Sequence, residues 1–437
     1  MKAAEQGSRK LPASAGQSPD DVRARLLEAA QELFIQDGFV RISVDAIVRA
    51  AKTSKREYYR CFRNKEELFV EVVRLLIESN TGPMVLPDGP PMEVLLDAAR
   101  MTYTSHLTDR STGLYRVSIS AAERSPGLAR SVYLARSRGA EPLVHYIERH
   151  RDELGLQYDD AFLSALRFSF VAVDGLRYLM GTPALTAEQL DRRLADVVDL
   201  FLNGHATPEF RRLPKLSRRI DGHLHLCSND GIQPQPNPAS STRLGTDDWD
   251  NIHRTAWAEF LAHGYAGASL GVISRRTHVA RTTIYRHYAS KEALFIALAE
   301  EVVDRQFDLQ AKIDLDHSSV VDALYEVCLL ILDRYLHPDT LGLQRILLVE
   351  AANNPEMTSR LYERMVARVQ EFMQPLLQAL AEAGVLRAEH FSDSCLRFFV
   401  LTTFGGRFLY VAPRNRVERE AHARETVNVF LYGWRQP

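Results

Sequence analysis

Cysteine is scarce in this chain of 437 residues: Cys61, Cys227, Cys328 and Cys395 are too few and too scattered for a disulfide framework. An apolar run of about 18 residues, the minimum for a membrane-spanning helix, is missing as well. The stretch from Met1 to Asp20 is polar and lacks the apolar core of a signal peptide. Nor is there an excess of one charge: 54 basic residues face 56 acidic ones, an average that by itself argues against a nucleic-acid partner. No acid, base or nucleophile constellation suggests an enzyme, and no motif calls for a cofactor. What remains is an ordinary globular composition, 46% hydrophobic and 25% charged, with room for about two to four domains in the cytoplasm and no membrane contact.

What the chain does have is itself, twice. The segment from Ile42 to Phe69 returns without a gap as Ala268 to Phe295, at a constant offset of 226 residues. Gly38 maps onto Gly264, Ser43 onto Ser269, Tyr59 onto Tyr285 and Lys65 onto Lys291. Further on the repeat is fainter. Gly113, Arg116 and Pro126 match Gly342, Arg345 and Pro355 at an offset of 229, and Arg167-Phe168 matches Arg397-Phe398 at 230. Small drifts of offset mean small loop insertions in a full-length duplication, so each copy is a structural unit.

Both copies read as helix throughout. Ser18-Pro19-Asp20-Asp21 is a helix start, and Leu26, Ala30, Leu33 and Phe34 follow at helical spacing up to Gly38 as a C-cap. Ser43 then caps a short helix through about Ala50, Lys52 and Thr53 make a tight turn, and Ser54 to Phe62 is a third helix. Asn64 caps a long fourth. Thr246-Asp247-Asp248, Gly264, Ser269, Ala280 and Ser290 mark the same joints in the second copy. Between the copies, residues 206–245 turn to Pro, Ser, Asn and Arg, the composition of a linker. As flexible coil it reaches about 35 Å, enough to join two units in almost any mutual orientation. The expected order is an arm over 1–17, a DNA-binding domain over 18–68 and a helical regulatory and dimerisation domain over 69–205. After the linker, 246–294 and 295–437 repeat that pair.

The neutral average hides two basic islands. Arg41 to Lys65 holds eight basic residues against two acids, a net +6; Gly267 to Lys291 holds five and no acid, a net +5. Two short helices joined by a tight turn, the second basic, form a helix-turn-helix whose second helix enters the major groove of double-stranded DNA. Ser54, Lys55, Arg56 and Glu57 in one copy, and Ala280, Arg281, Thr282 and Thr283 in the other, fall where side chains reach base edges. Tyr58, Phe62, Ile284 and Tyr288 fall on the opposite, core face. Tyr59 and Tyr285 offer hydroxyls to phosphate, Arg60 and Arg286 add charge beside them, and Lys65 and Lys291 start the next helix where the dipole reinforces an anion site.

These segments resemble the DNA-binding domain of the TetR family of bacterial regulators. The family's Leu-Tyr-x-x-Phe element followed by Lys-Glu-x-Leu stands here as Ile284-Tyr285-Arg286-His287-Tyr288 with Lys291-Glu292-Ala293-Leu294. In the first copy it stands as Tyr58-Tyr59-Arg60-Cys61-Phe62 with Lys65-Glu66-Glu67-Leu68. The likeness covers about fifty residues per copy. It implies dimers joined by C-terminal helical bundles, which often hold a small ligand that shifts the spacing of the DNA-reading helices. Two departures stand out: Lys52 and His278 replace the usual turn glycine, and Arg56 and Thr282 replace another small residue. A third is that both protomers lie in one chain, so the implied all-α fold is an intramolecular pseudo-dimer, with a further homodimer of chains left open.

The copies differ where they read. Lys55-Arg56-Glu57 faces one half-site and Arg281-Thr282-Thr283 the other; arginine and lysine favour guanine, and Glu57 suits a cytosine amine. The expectation is a ligand-responsive repressor at the nucleoid reading an asymmetric operator with half-sites about one helical turn or somewhat more apart. The alternatives are that one copy has retired from DNA to dimerise and sense ligand, or that the chain is a helical interaction protein.

Other motifs have plainer roles. Gly267-Ala268-Ser269-Leu270-Gly271 fits the nucleophile-elbow pattern, but that chemistry needs a preceding strand and here a helix precedes, so Ser269 is expected to cap. His223, His225 and Cys227 alternate without a second cluster to complete a metal site, and no metal is expected. Arg116, Arg345, Arg177 and Arg407 recur in both copies. Their plain reading is a buried pair with a carboxylate such as Glu123 or Glu350, their sharper one contact with an acidic ligand. Tyr103, Tyr115, Arg116, Phe168, Phe170 and Tyr178 are candidates to line a small-molecule pocket in the first copy, against a plain reading as core.

Overall fold

The computed structural model describes residues 19–81, 85–122, 126–152, 155–156, 160–212, 223–226, 245–307, 311–314, 319–387, 391–413 and 415–434. Ser18 and Glu123 lie outside the described residues, as does Cys227, and of His223 and His225 only the backbone is described.

The first unit opens with α1 (Pro19–Arg41), α2 (Val44–Ala50), α3 (Lys55–Cys61) and α4 (Lys65–Thr81). Acids at Asp20 and Asp21 face the positive end of α1, and Gly38 breaks it with φ 78°, a conformation that costs glycine little. Ser43 caps α2 by accepting from the Ala46 amide at 3.2 Å, and Asn64 caps α4 by accepting from Glu67 at 2.8 Å. Val22, Leu26, Ala30, Phe34, Ile47, Tyr58, Leu68 and Phe69 meet in one core. Six helices complete the unit: α5 (Pro91–His106), α6 (Asp109–Ala122), α7 (Pro126–Ser137), α8 (Glu141–Arg149), α9 (Ala161–Ala172) and α10 (Ala187–Asn203). α1 packs on α6 and α4 on α7, so the DNA-facing core runs on into the bundle through Leu114, Val117, Leu128 and Val132. α11 (Pro208–Arg212) and a strand β1 (His223–Leu226) lie in the segment between the copies.

The second unit repeats the plan. α12 (Thr246–Gly267), broken at Gly264 with φ 68°, precedes α13 (Leu270–Thr277), α14 (Arg281–His287) and α15 (Lys291–Phe307). After a strand β2 (Ala311–Asp314) come α16 (Val320–Tyr335), α17 (Pro338–Glu350), α18 (Pro355–Glu382), α19 (Phe391–Thr403) and α20 (Arg416–Tyr432). β2 pairs antiparallel with β1, an addition to the expected all-helical architecture that ties the linker segment to the second unit. The bundles differ at one joint. α18 runs unbroken where the first unit has α7, a 3-10 turn over Arg138–Ala140, and then α8. Gly139 weakens that joint, and Pro142 at the start of α8 has no amide for the Arg138 carbonyl.

The units join through their last helices, α9 and α10 against α19 and α20. The contacts come in pseudo-two-fold pairs. Arg167 bridges to Glu425 at 3.3 Å, and its counterpart Arg397 bridges to Asp196 at 2.6 Å. Trp434 meets Phe201 at 5.1 Å, and its counterpart His205 meets Phe430 at 4.8 Å. Each partner makes the other's contact, the signature of an isologous dimer held in one chain.

Candidate nucleic-acid interface and regulatory cavity

In each unit the reading helix stands on a left-handed residue. Lys52 (φ 51°) and His278 (φ 58°) hold the conformation for which glycine is usual, at a cost of about 1–2 kcal/mol for a side-chain-bearing residue. In the first unit the turn is fastened by the Thr53 amide to the Val48 carbonyl at 2.9 Å and by Arg25 to the Lys52 carbonyl at 3.4 Å. α3 and α14 then turn one face inward: Tyr58, Phe62, Ile284 and Tyr288 are buried. The other faces outward, with Ser54, Lys55, Arg56, Tyr59 and Arg60 exposed on α3 and Ala280, Arg281, Thr282, Tyr285 and Arg286 on α14. Thr283, like Glu57, is half-buried. Tyr59 at 57% and Tyr285 at 42% exposure are large rings left in water, as groups awaiting a partner would be.

The two faces are held differently. Ser54 and Glu57 form a capping box, each side chain meeting the other's amide, and the Thr53 hydroxyl donates to the Glu57 carboxylate at 2.6 Å. These bonds, the Thr53 one first, hold the Glu57 carboxyl below its usual range. The group offered to a cytosine amine is thus committed to starting its own helix. The Lys55 ammonium lies 2.8 Å from Asp45. α14 starts at Ala280 with no side-chain cap, and Ser269, though at the N-cap of α13, makes no side-chain cap bond; the Ser269 amide donates instead to the buried Glu259 at 3.3 Å.

Lys65 and Lys291, expected at phosphates, do something else. The Lys65 ammonium donates to the carbonyls of Phe39 and Ile42, both at 2.8 Å, and sits 4.4 Å over the Phe39 ring. Lys291 repeats this on Tyr265, Ala266 and Ala268 at 2.9, 3.3 and 3.4 Å, 4.6 Å over the Tyr265 ring. Both satisfy the carbonyls left open where a glycine breaks the first helix, so each is a corner tie.

In the first bundle a cavity opens at the α7–α8 break. Its walls are His106 of α5, Ser111 and Tyr115 of α6, Tyr133 and Arg136 of α7, Ser169 and Phe170 of α9, and Ile77 at the end of α4; Tyr410 enters from the second unit. Of the six side chains expected at a pocket, Tyr115 and Phe170 line it. Tyr178 packs behind, edge-on to Tyr115 and His106. Tyr103 and Phe168 are buried in the core, Phe168 between Phe201 and Trp434. Arg116 turns away to the Leu179 carbonyl at 3.1 Å, and burial pushes its guanidinium down from its ordinary value. The recurring arginines divide: Arg177 pairs with a carboxylate, that of Asp174, whereas Glu350 bonds elsewhere. Glu350 accepts from the Ala266 amide at 3.2 Å and from Asn354 at 2.9 Å, tying α17 to the corner that Gly264 makes in α12. Arg407 lies over the Phe404 and Tyr133 rings, and Arg177 faces Asp174 at 3.7 Å. Sequence periodicity missed His106, Tyr133, Arg136 and Tyr410, although Gly139 with Pro142 marked the break that exposes them.

Comparison with known proteins finds two family descriptions, each matching the chain twice. The family described as bacterial regulatory proteins, tetR family, matches residues 26–72 and 252–298. A second description, AefR-like transcriptional repressor C-terminal domain, matches residues 93–207 and 322–435. The HTH-type transcriptional regulator TcmR of Streptomyces glaucescens is 28% identical over 146 residues, 32% of this chain and 63% of TcmR. The HTH-type transcriptional repressor NicS of Pseudomonas putida is 26% identical over 174 residues, 38% of this chain and 76% of NicS. Among solved structures, the flavonoid-responsive regulator FrrA is 28% identical, with 42% of this chain and 96% of FrrA covered at a TM-score of 0.38.

Proposed function

This chain belongs to the TetR family of bacterial regulators, with the family's two domains each present twice; from that premise we propose that it is a sequence-specific transcriptional repressor in which one chain does the work of a dimer. The observation that carries this is the pair of outward faces, α3 with Arg56, Tyr59 and Arg60, and α14 with Arg281, Tyr285 and Arg286, on units held as a pseudo-two-fold pair. Exposed cations and tyrosine hydroxyls meet phosphates and set the register, while arginine at a helix start reaches guanine edges. The faces are unequal, so the operator is asymmetric. A small ligand in the bundle relieves repression by favouring a spacing of α3 and α14 that DNA does not accept.

A second reading, in which one unit alone grips DNA strongly, draws support from the Lys55–Asp45 pair and the committed Glu57 of α3. α14 has no acid in its first turn. Selection of bound fragments from a random duplex library at near-physiological salt decides between them. Two unequal half-sites support the first reading, one half-site the second, and no enrichment rejects both. No helix among the described residues is long and apolar enough to cross a membrane.

A further inference from the structure

The cavity in the first bundle has a counterpart in the second, related by the repeat. His106, Tyr115, Tyr133 and Arg136 correspond, at an offset of 229, to Tyr335, Gln344, Tyr362 and Met365. Ser169, Phe170 and Val173 correspond, at 230, to Phe399, Val400 and Thr403. The two spaces are unequal, about 930 Å³ in the first and about 320 Å³ in the second when the solvent-open mouth is counted with each. The substitutions say why. Phe399 stands where Ser169 does and packs on Tyr335 at 6.1 Å and Phe307 at 5.9 Å, so an aromatic cluster fills the space that serine leaves open. α18 runs unbroken past the point where α7 stops, so no helix break opens a mouth.

The first cavity also carries charge. No acidic side chain is among the described residues lining it, and its cation is Arg136. That guanidinium lies 4.1 Å over the Tyr115 ring, and its Nη1 is shut from solvent with no hydrogen-bond acceptor among the described residues. His106 beside it is pushed down to about 4, chiefly by burial and then by Arg136, and is neutral. A buried guanidinium nitrogen without an acceptor is costly, and a carboxylate is its natural complement. Around it Tyr115, Tyr133, Phe170 and Tyr410 supply ring faces and edges for a flat apolar body.

We propose that this chain carries one effector site rather than two, in the first bundle, and that it takes a small aromatic carboxylate whose anion is bound by Arg136. This deepens the repressor reading and rests on it. The site touches what it must move: Ile77 belongs to α4, which follows the reading helix, and Tyr410 comes from the other unit, with its hydroxyl 3.5 Å from the Tyr115 carbonyl. One ligand therefore contacts α4, the helix that leads out of a DNA-binding domain, and a residue of the other unit together.

The test is calorimetric titration of the full chain, without DNA, using 2-naphthoate and its uncharged amide 2-naphthamide. The expected result is one 2-naphthoate per chain, bound about tenfold or more tighter than the amide. Arg136→Met, which copies the second unit, removes that preference; Ser169→Phe, which copies its filling, removes binding of both. Each variant is checked for the parent's melting temperature, and if one does not fold, the parent's stoichiometry and preference still decide. Two ligands per chain, equal affinity for acid and amide, or no binding of either overturns the proposal. Failure here leaves fragment selection on DNA unaffected, so the two readings fail separately.

Discussion

Gly204 and Gly433 end equivalent helices, α10 and α20, and each lies against the backbone of the other's helix end. Their φ angles are 61° and 68°. A Cβ on Gly204 would come within 2.3 Å of the Leu431 carbonyl oxygen, and one on Gly433 within 2.7 Å of the Phe201 carbonyl oxygen. The Trp434 amide donates to that same Phe201 carbonyl, and the His205 amide to Phe430 at 2.9 Å. The joint between units is thus closed by backbone that only glycine lets approach.

Gly204→Ala and Gly433→Ala should therefore each loosen the joint. Their positive φ with extended ψ is a conformation nearly confined to glycine and costs alanine about 1–3 kcal/mol, and the blocked backbone adds to it. The expected melting temperature falls by roughly 3 °C or more. An unchanged melting curve for either variant would show that the joint tolerates a methyl group.

Charge reversal should separate the two reading helices. Arg56→Glu is expected to erase one half of the selected DNA motif and Arg281→Glu the other. Each also lowers the salt dependence of binding, by roughly 0.9 in the slope for every phosphate no longer neutralised. Binding titrations over a range of salt check this. Two variants that weaken the same half-site would contradict the assignment of one helix to each half.

Lys65→Ala and Lys291→Ala should behave otherwise. Their ammonium groups tie backbone carbonyls, and losing such charge-assisted bonds costs about 1–3 kcal/mol. Thermal stability falls while the slope of DNA affinity against salt stays at the parent value. A reduced slope at full stability would return them to the phosphates.

Three histidines, His422 buried and His106 and His205 half-buried, set an acid limit. Burial first, and then a nearby arginine, pushes His106 down to about 4 and His205 and His422 to about 3. His422 shares a 2.7 Å hydrogen bond with the Thr402 carbonyl as the neutral ring. Between those values and about 6.5, where an unfolded histidine titrates, unfolding takes up protons, so stability is complete above that range and is lost as pH falls. The slope reaches about 1.4 kcal/mol per pH unit for each such histidine. Urea unfolding at about pH 7.5 and about pH 5 measures it, and equal stability at the two values would refute it.

Much was legible in the residues alone. The repeat at 226 put the two helix-turn-helix segments in place, and Ser43, Asn64, Gly38 and Gly264 stand at the helix joints where their residue types belong. Tyr58, Phe62, Ile284 and Tyr288 are buried opposite the exposed face, as helical spacing requires. These features depend on neighbours within a turn or two, and a one-dimensional string records such neighbours.

Other roles were hidden because the deciding partner is far along the chain. Lys65 finds its carbonyls 26 and 23 residues upstream, at a corner whose shape comes from packing. Tyr410 reaches a cavity wall 295 residues away. The paired arginines Arg167 and Arg397 were visible as a match, but not their bridges to Glu425 and Asp196. Whether an aromatic at helical spacing is core, like Phe168, or cavity wall, like Phe170, depends on what the neighbouring helices leave unfilled. The residues settle the units, their caps and their apolar faces, since helix formation is local; the joint between units, the unequal cavities and the charge left on Arg136 exist only once distant helices pack.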